Sequence, residues 1–183
     1  WKGKVIFTFT GNIGEAQDFP SILRGIKNSN SLDKVVFLII GDGRYKKELI
    51  KKILDEGLEK IVFCLGEYPM RYMPIFYHYS TFLFLSLKNT PIFSLTLPGK
   101  VQSYISSSKP VIAMADGEVQ TIINEAKCGF CADSGDFNNF AKVIDQCCNI
   151  DPSIYKEMGI SGKLYASNNF QFKSLINKIQ ENL

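Results

Sequence analysis

The sequence is poor in the residues from which many active sites are built. Its 183 residues include one histidine, His78, and one tryptophan, Trp1. His78 lies in an aromatic, helix-like segment with no acid nearby. A Ser-His-Asp relay cannot be assembled there, and a packing or surface role is expected. Long apolar runs are also missing. The longest, Val35–Ile40, has six residues, far short of the ~20 that span a bilayer. No basic stretch followed by an apolar one opens the chain, so no signal peptide is visible. The chain begins at Trp1 rather than Met and reads as a trimmed fragment, so that absence carries little weight. Charge of one sign is lacking too: 21 Lys and Arg against 18 Asp and Glu leave a net +3. A strongly basic nucleic-acid binder is thereby disfavoured. Five cysteines, Cys64, Cys128, Cys131, Cys147 and Cys148, cannot all pair within one chain. Cys128-x-x-Cys131 has no second ligand pair, so buried thiols in a reducing compartment are expected rather than a metal or redox site.

What is present is a chain long enough for one domain with a real core, 45% hydrophobic and 21% charged. Strand and helix patterns alternate from end to end. Strands are expected at Lys4–Thr10, Lys34–Ile40, Lys60–Leu65, Thr81–Leu87, Pro110–Met114 and Gly129–Ala132. Helical stripes fall between them. Asp18 is expected to cap a helix carrying Ile22, Leu23 and Ile26, with Pro20 in its first turn. Leu49, Ile50, Ile53 and Leu54 mark the next, and another lies around Arg71–Tyr79. A long loop, Lys88–Leu97, precedes a helix opened by Pro98 and Gly99 with Val101, Tyr104 and Ile105 on one side. Val119, Ile122, Ile123 and Ala126 form a further stripe. Asp136 caps a helix with Phe137, Phe140, Ala141, Ile144 and Cys148. Asp151-Pro152 starts one that carries Ile154, Met158 and Tyr165, and an amphipathic tail runs from Phe172 to Leu183. Six strands, each followed by a helix, imply an α/β fold: an open doubly wound, Rossmann-like parallel sheet with helices on both faces, in a single domain. An eight-unit barrel would need ~250 residues.

Such a sheet binds ligands at the carboxyl ends of its strands, near the point where strand order reverses. The loop after the first strand, Gly11-Asn12-Ile13-Gly14-Glu15, offers glycines and a helix start to an anion, or is a plain strand-to-helix turn. Its Gly-x-x-Gly is not a dinucleotide fingerprint. Asp42, in the turn Gly41-Asp42-Gly43-Arg44, either imitates a ribose-binding acid or caps the following helix. It lies 31 positions after Gly11, whereas ~20 is usual for a ribose-binding acid. The most informative stretch is Leu97-Pro98-Gly99-Lys100-Val101-Gln102-Ser103. Lys100 falls in the first turn of a helix, where the dipole disfavours a cation. A bound phosphate would relieve that, and the bland alternative is a solvated lysine. Asp116-Gly117-Glu118 opens another helix, either as ordinary acidic capping or with its N–H groups turned to a ligand.

Taken together, these loops resemble the C-terminal half of a family 4 (group 1) glycosyltransferase of the GT-B type. The landmarks are Phe9-Thr10-Gly11-Asn12-Ile13-Gly14, Leu38-Ile39-Ile40-Gly41-Asp42-Gly43 with Leu49, Val62-Phe63-Cys64-Leu65-Gly66, Thr81-Phe82-Leu83-Phe84-Leu85, Ser108-Lys109-Pro110-Val111-Ile112-Ala113 and Gly129-Phe130. Leu97–Pro110 with Asp116-Gly117-Glu118 resembles the branch that transfers amino sugars in bacterial surface-polysaccharide assembly, such as N-acetyl-L-fucosamine transferases. The resemblance implies that this domain holds a nucleotide-sugar donor, a UDP-sugar, with no other cofactor. Gly14, Glu15, Gly99 and Lys100 would meet the diphosphate. Gly66 and Glu67 would meet the base, and Gln102 or Ser103 the ribose. It further implies a missing N-terminal acceptor domain of the same protein and a retaining, metal-independent reaction on a lipid-linked glycan acceptor. The location would be the cytoplasm, at the inner face of the membrane through the full-length protein. Where that family often carries a basic pair after the first strand, this chain has Asn12 and Gln17. Where it often carries two glutamates, it has Leu95 and Ser103. The competing reading is a non-catalytic nucleotide- or dinucleotide-binding module of the NAD type. A receiver domain lacks its required acids in Phe7–Thr10 and Val62–Leu65.

Overall fold

The fold is taken from a computed structural model, in which residues 1–94 and 97–170 are described. The expected tail, Phe172–Leu183, lies outside them. Six strands form one parallel sheet: β1 (Val5–Thr10), β2 (Val35–Ile40), β3 (Val62–Gly66), β4 (Phe82–Ser86), β5 (Val111–Met114) and β6 (Gly129–Ala132), in the order β3-β2-β1-β4-β5-β6. Val35–Ile40 is buried at every position, because a parallel strand covered on both faces has no solvent side to alternate toward.

Helices cover both faces. On one lie α1 (Phe19–Asn28), α2 (Lys46–Asp55) and α7 (Phe137–Asn149). Their apolar stripes meet Phe7, Phe9, Phe37, Phe82 and Phe84 from the sheet. A Cβ at Gly25 would stand 2.8 Å from the Phe140 ring, so α1 and α7 touch through that glycine. On the other face lie α5 (Gly99–Ser106) and α6 (Glu118–Glu125), with Val101, Tyr104, Ile105, Val119 and Ile123 packed on Leu83, Leu85, Val111 and Ala113. The helix α3 (Met73–Tyr79) presents Tyr77 to the same cluster. Asp136 caps α7 and Asp151 caps the last helix, α8 (Pro152–Asn169), each through its carboxylate.

Several expectations are corrected. Asp18 precedes α1 in a left-handed conformation (φ 44°) and makes no side-chain cap, because it forms the turn between a short 3-10 segment, Glu15–Gln17, and α1. Asp42 does not cap α2, whose N-cap position is held by Tyr45. It accepts the Gly43 N–H at 2.9 Å and pairs with Lys46 at 3.3 Å. Ile50 and Leu54 are exposed, leaving Leu49 and Ile53 to bury α2. The segment 88–97 is not all loop, since it holds α4 (Pro91–Ser94). The buried side of α8 is Gly159, Gly162 and Ala166, and Ile154 faces solvent. A Cβ at Gly159 would stand 2.1 Å from the Ser108 carbonyl oxygen. The helix backbone rests on that turn, and a side-chain stripe there has no room. His78 is exposed at the end of α3, its ring edge-on to Tyr79. All five cysteines are free thiols.

Asp145 on α7 fastens the loop after α1. Its carboxylate accepts from Ser29 Oγ (2.6 Å), Asn30 N (3.2 Å) and Asn30 Nδ2 (3.0 Å). Burial pushes its pKa up, but bonds from Ser29, Ser31 and Asn30 outweigh burial and hold it below the ordinary value. Removing the carboxylate in Asp145→Ala is expected to cost about 1–3 kcal/mol, mainly by leaving the buried Ser29 hydroxyl without its acceptor, since the exposed Asn30 donors can turn to water. Because the folded pKa is depressed, the difference from wild type should vanish as pH falls through it. Urea denaturation at pH 7 and pH 3 tests both statements.

Candidate functional site

Strand order reverses between β1 and β4, and the two strands fork there. Their register runs through Phe7↔Phe82 and Thr8↔Leu83, while β1 stays with β2 as far as Thr10↔Ile40. Beyond the strands the backbone of the first three loops is laced together. Gly11 N donates to Ile40 O (2.9 Å), Gly41 N to Gly66 O (2.8 Å), Ile13 N to Asp42 O (2.7 Å) and Tyr45 N to Ile13 O (3.0 Å). The lacing explains Gly41-Asp42-Gly43. A Cβ on Gly41 (φ +142°) would lie 1.9 Å from Gly11 O, and one on Gly43 (φ +157°) 2.3 Å from Ile13 O. The turn is tight because another loop's backbone occupies the space.

Above this platform opens a cleft of about 840 Å³. Its floor is Thr10, Gly11, Asn12, Ile40, Gly41 and Asp42. One wall is Glu67, Tyr68, Pro69, Met70, Met73, Pro74 and Tyr77, and the other is Gly99, Lys100 and Ser103 at the start of α5. It is a largely apolar crevice in which, among the described residues, Lys100 is the one cation, set at the first turn of a helix, with the acids Asp42 and Glu67 also in the lining.

Lys100 is the unusual member. Its Nζ is buried, has no hydrogen-bond partner among the described residues, and lies 3.9 Å from the centroid of the Phe9 ring. A Cβ on Gly11 would stand 3.5 Å from it. Side chains alternate along β1, and Phe9 belongs to the core on the face opposite that of Tyr104. The amine therefore reaches into the fork itself. Burial pulls its pKa from 10.5 to about 8. A charged amine held off water without a partner is costly, and an anion drawn to the fork would relieve it.

Of the eight residues that the resemblance assigns to the donor, the fold brings Glu67, Gly99, Lys100 and Ser103 to the cleft, beside Gly11, Asn12 and Asp42 of the first two loops. Gly14, Glu15, Gly66 and Gln102 are not among its lining residues. Gly14 N donates to Gln17 Oε1 at 3.1 Å. Gln17 thus turns inward to cap its own loop. Glu15 points outward, 3.9 Å from Lys88. Gly66 ends β3 and gives its carbonyl to Gly41. Gln102 borders a separate groove of about 430 Å³ with Ser103, Ser106 and Lys163. Asp116 lies elsewhere, accepting from Ser134 N. The apolar wall of Tyr68, Met70 and Met73 lies in a segment whose aromatics, from Tyr68 to Tyr79, offer a base-stacking platform as the alternative to core and edge packing. The segment 68–79 reads as core or edge packing, yet Tyr68, Met70, Tyr72, Ile75 and Tyr79 are exposed. Among the described residues no group of three or more His, Cys, Asp or Glu side chains is placed to hold a metal ion. No described helix is long and apolar enough to cross a membrane.

A 321456 parallel sheet with its crevice at the reversal point, glycine loops beneath it and a helix start beside it, defines an α/β domain of the nucleotide-binding type. The chain belongs to the glycosyl transferases group 1 family, which it matches over residues 1–164. It is 28% identical over 155 residues to "Probable glycosyltransferase WbjE" of Pseudomonas aeruginosa, covering 84% of this chain and 38% of that protein. Its fold matches HepE of Anabaena, solved in complex with UDP, with a TM-score of 0.82 at 17% identity over 98% of this chain and 48% of HepE. It also matches the C-terminal domain of the group 1 glycosyl transferase LpcC of Francisella tularensis (TM-score 0.72, 17% identity, 93% of this chain and 88% of that one). The chain thus spans less than half of the WbjE and HepE chains.

Proposed function

We propose that this chain binds the nucleoside diphosphate of a sugar donor, a UDP-sugar, as one half of a glycosyltransferase. The observation that carries the reading is the buried Lys100 amine at the fork, without a hydrogen-bond partner among the described residues and beside the first turn of α5. Glycosyl transfer develops negative charge on the departing diphosphate. A cation and free N–H groups preorganised in a water-poor crevice stabilise that charge as it forms. Here Lys100 and the α5 start meet the diphosphate over Gly11, and the wall from Glu67 to Met73 faces the nucleoside. Ser103 replaces a carboxylate as the hydrogen-bonding group for the ribose. HepE and the Staphylococcus aureus protein TarM, both solved with UDP, support a uridine nucleotide.

The reading extends to a retaining reaction in which protein groups, rather than a metal ion, carry the leaving-group charge. An N-terminal acceptor half lies outside this sequence, so the 183-residue chain should bind donor without turning it over. An amino sugar such as N-acetyl-L-fucosamine, transferred to a lipid-linked glycan during bacterial surface-polysaccharide assembly at the cytoplasmic face of the membrane, completes it. The Leu97–Pro110 stretch with Asp116-Gly117-Glu118 supports that branch.

Asp42 favours a second reading, since it borders the cleft just past the end of β2, where dinucleotide-binding folds place their ribose acid. Its carboxylate is already engaged by Gly43 N and Lys46. Calorimetric titration of the chain with UDP, GDP, ADP and NAD separates the two. UDP should bind most tightly, with a Kd of about 0.1–1 mM, or roughly −4 to −5.5 kcal/mol. Binding of NAD in preference to UDP would overturn the donor reading.

A further inference from the structure

Parallel strands satisfy their backbone groups on two sides in turn. Along β1, Gly11 N reaches toward β2, and Ile6 O accepts Thr81 N on the β4 side. Thr8 and then Thr10 are therefore the next residues whose N–H and C=O face β4. At the level of Thr10, β4 has parted from β1: their register ends at Thr8↔Leu83, while β4 runs on against β5 through Ser86↔Met114. Two backbone groups at the floor of the cleft are left without a strand.

One phenol takes both. Tyr104 Oη accepts from Thr10 N at 2.7 Å and lies 3.2 Å from Thr10 O, to which it donates. The ring is fully buried, edge-on to Tyr77 at 5.8 Å, and the Tyr77 hydroxyl lies 3.0 Å from Thr10 Oγ1. Tyr104 follows Lys100 by four residues, one turn along α5, so the two share a face of the helix. The residue that ties α5 to the end of β1 is thus a turn below the residue whose amine enters the fork.

We propose that Tyr104 is the positioning residue of the cleft. Its hydroxyl substitutes for β4 at the fork, and so fixes both the peptide that leads into Gly11 and the turn of α5 that carries Lys100. The inference deepens the donor-binding reading and rests on it for the ligand, while the geometry it asserts is independent of any ligand. Tyr104 touches no donor in this account; it acts through Gly11 and Lys100.

The test is Tyr104→Phe, which keeps the ring and removes the hydroxyl. Two readouts are taken on the 183-residue chain. The first is the titration midpoint of Lys100, followed by carbon NMR after reductive ¹³C-methylation and assigned by its loss in Lys100→Arg. The second is UDP affinity by calorimetry, at a temperature where circular dichroism shows each variant folded. The phenylalanine variant should move the Lys100 midpoint up toward the ordinary lysine value by about one unit and weaken UDP about tenfold. Ile123→Val, a core change on α6, should lower the melting temperature and move neither readout. Thr10→Val, which leaves the backbone bonds to Tyr104 in place, should leave the Lys100 midpoint unmoved. A Tyr104→Phe chain that loses stability with both readouts unchanged overturns the proposal. A wild-type chain that does not bind UDP, but whose Lys100 midpoint moves in the variant, removes the donor reading and upholds the positioning role. Should Tyr104→Phe fail to fold, amide exchange in the wild type decides. Thr10 N–H should exchange far more slowly than Asn12 N–H, and equal rates overturn the proposal.

Discussion

Lys100→Met should make the chain more stable and stop it from holding UDP. The two effects have one cause. The Lys100 amine is buried without a hydrogen-bond partner among the described residues, and its pKa falls from 10.5 to about 8. That displacement corresponds to ~3 kcal/mol of penalty on the charged form. The Phe9 ring beneath it, 3.9 Å from Nζ, returns part of this, up to ~2 kcal/mol for a desolvated cation–aromatic contact. Methionine keeps the length and the ring contact and carries no charge to desolvate. A net gain of about 1–2 kcal/mol at pH 7 is expected, or roughly 2–8 °C in melting temperature for a chain this long. UDP affinity should fall by about 1.5–3 kcal/mol, the usual worth of a charge-assisted hydrogen bond. An unchanged or lower melting temperature would show that the amine is not held in the fork.

The pH dependence follows from the same group. In the folded chain Lys100 releases its proton near 8, and in the unfolded chain near 10.5. Between those values the unfolded state binds more protons, so this residue's contribution makes stability rise with pH. The advantage of Lys100→Met should be full below pH 8 and fade toward 10.5. The buried thiols run the other way. Burial pushes Cys64 up to about 11 and Cys128 and Cys131 to about 12. Unfolding releases their protons near 9, so their stabilisation is lost as pH rises above that. The difference between variant and wild type, rather than either curve alone, isolates Lys100. Wild-type UDP affinity should also weaken above pH 8, because the amine that greets the diphosphate becomes neutral. A buried cation that destabilises the empty domain and is relieved by an anion is the pattern expected of a binding residue, since binding residues trade stability for function.

The sheet was legible because each strand is written in local letters. Val35–Ile40 reads as a buried parallel strand by composition alone, and Pro98-Gly99 marks the start of α5 correctly. Lys100 stood out by a local rule as well, a cation where the helix dipole disfavours one. What stayed hidden is non-local. Tyr104 reads as one apolar residue in the stripe with Val101 and Ile105, and only the fork shows that its hydroxyl completes a strand 94 residues away. Among the glycines after β1, Gly14 resembles the ligand-facing one. In the fold it is Gly11 that lines the cleft, while Gly14 N is taken by Gln17. The same holds for α8, where the Ile154, Met158 and Tyr165 stripe is apolar enough to be core. Contact with the Ser108 turn buries the glycine side, so Ile154 is left in solvent while Tyr165 still packs, half-buried, against the core.

Gly41→Ala is the second change expected to act strongly, and Gly66→Ala is its measure. Both glycines have positive φ, +142° and +83°, so a side chain strains the backbone at either. At Gly66 nothing lies within 4 Å of the added Cβ, and the cost should stay near 1–2 kcal/mol. At Gly41 the Cβ would lie 1.9 Å from Gly11 O and 2.9 Å from Gly11 C. Those atoms are backbone, and Gly11 N is bound to Ile40 O while Gly41 N is bound to Gly66 O. Neither loop can retreat without breaking the lacing that forms the cleft floor. Strain and overpacking together should cost about 3–5 kcal/mol. Gly41→Ala should also lose UDP binding where it remains folded, since Gly11 is displaced toward Lys100. Urea midpoints at 25 °C compare the two variants directly. Equal losses would mean that the loops do not meet at Gly41, and that the floor of the cleft is not built as described.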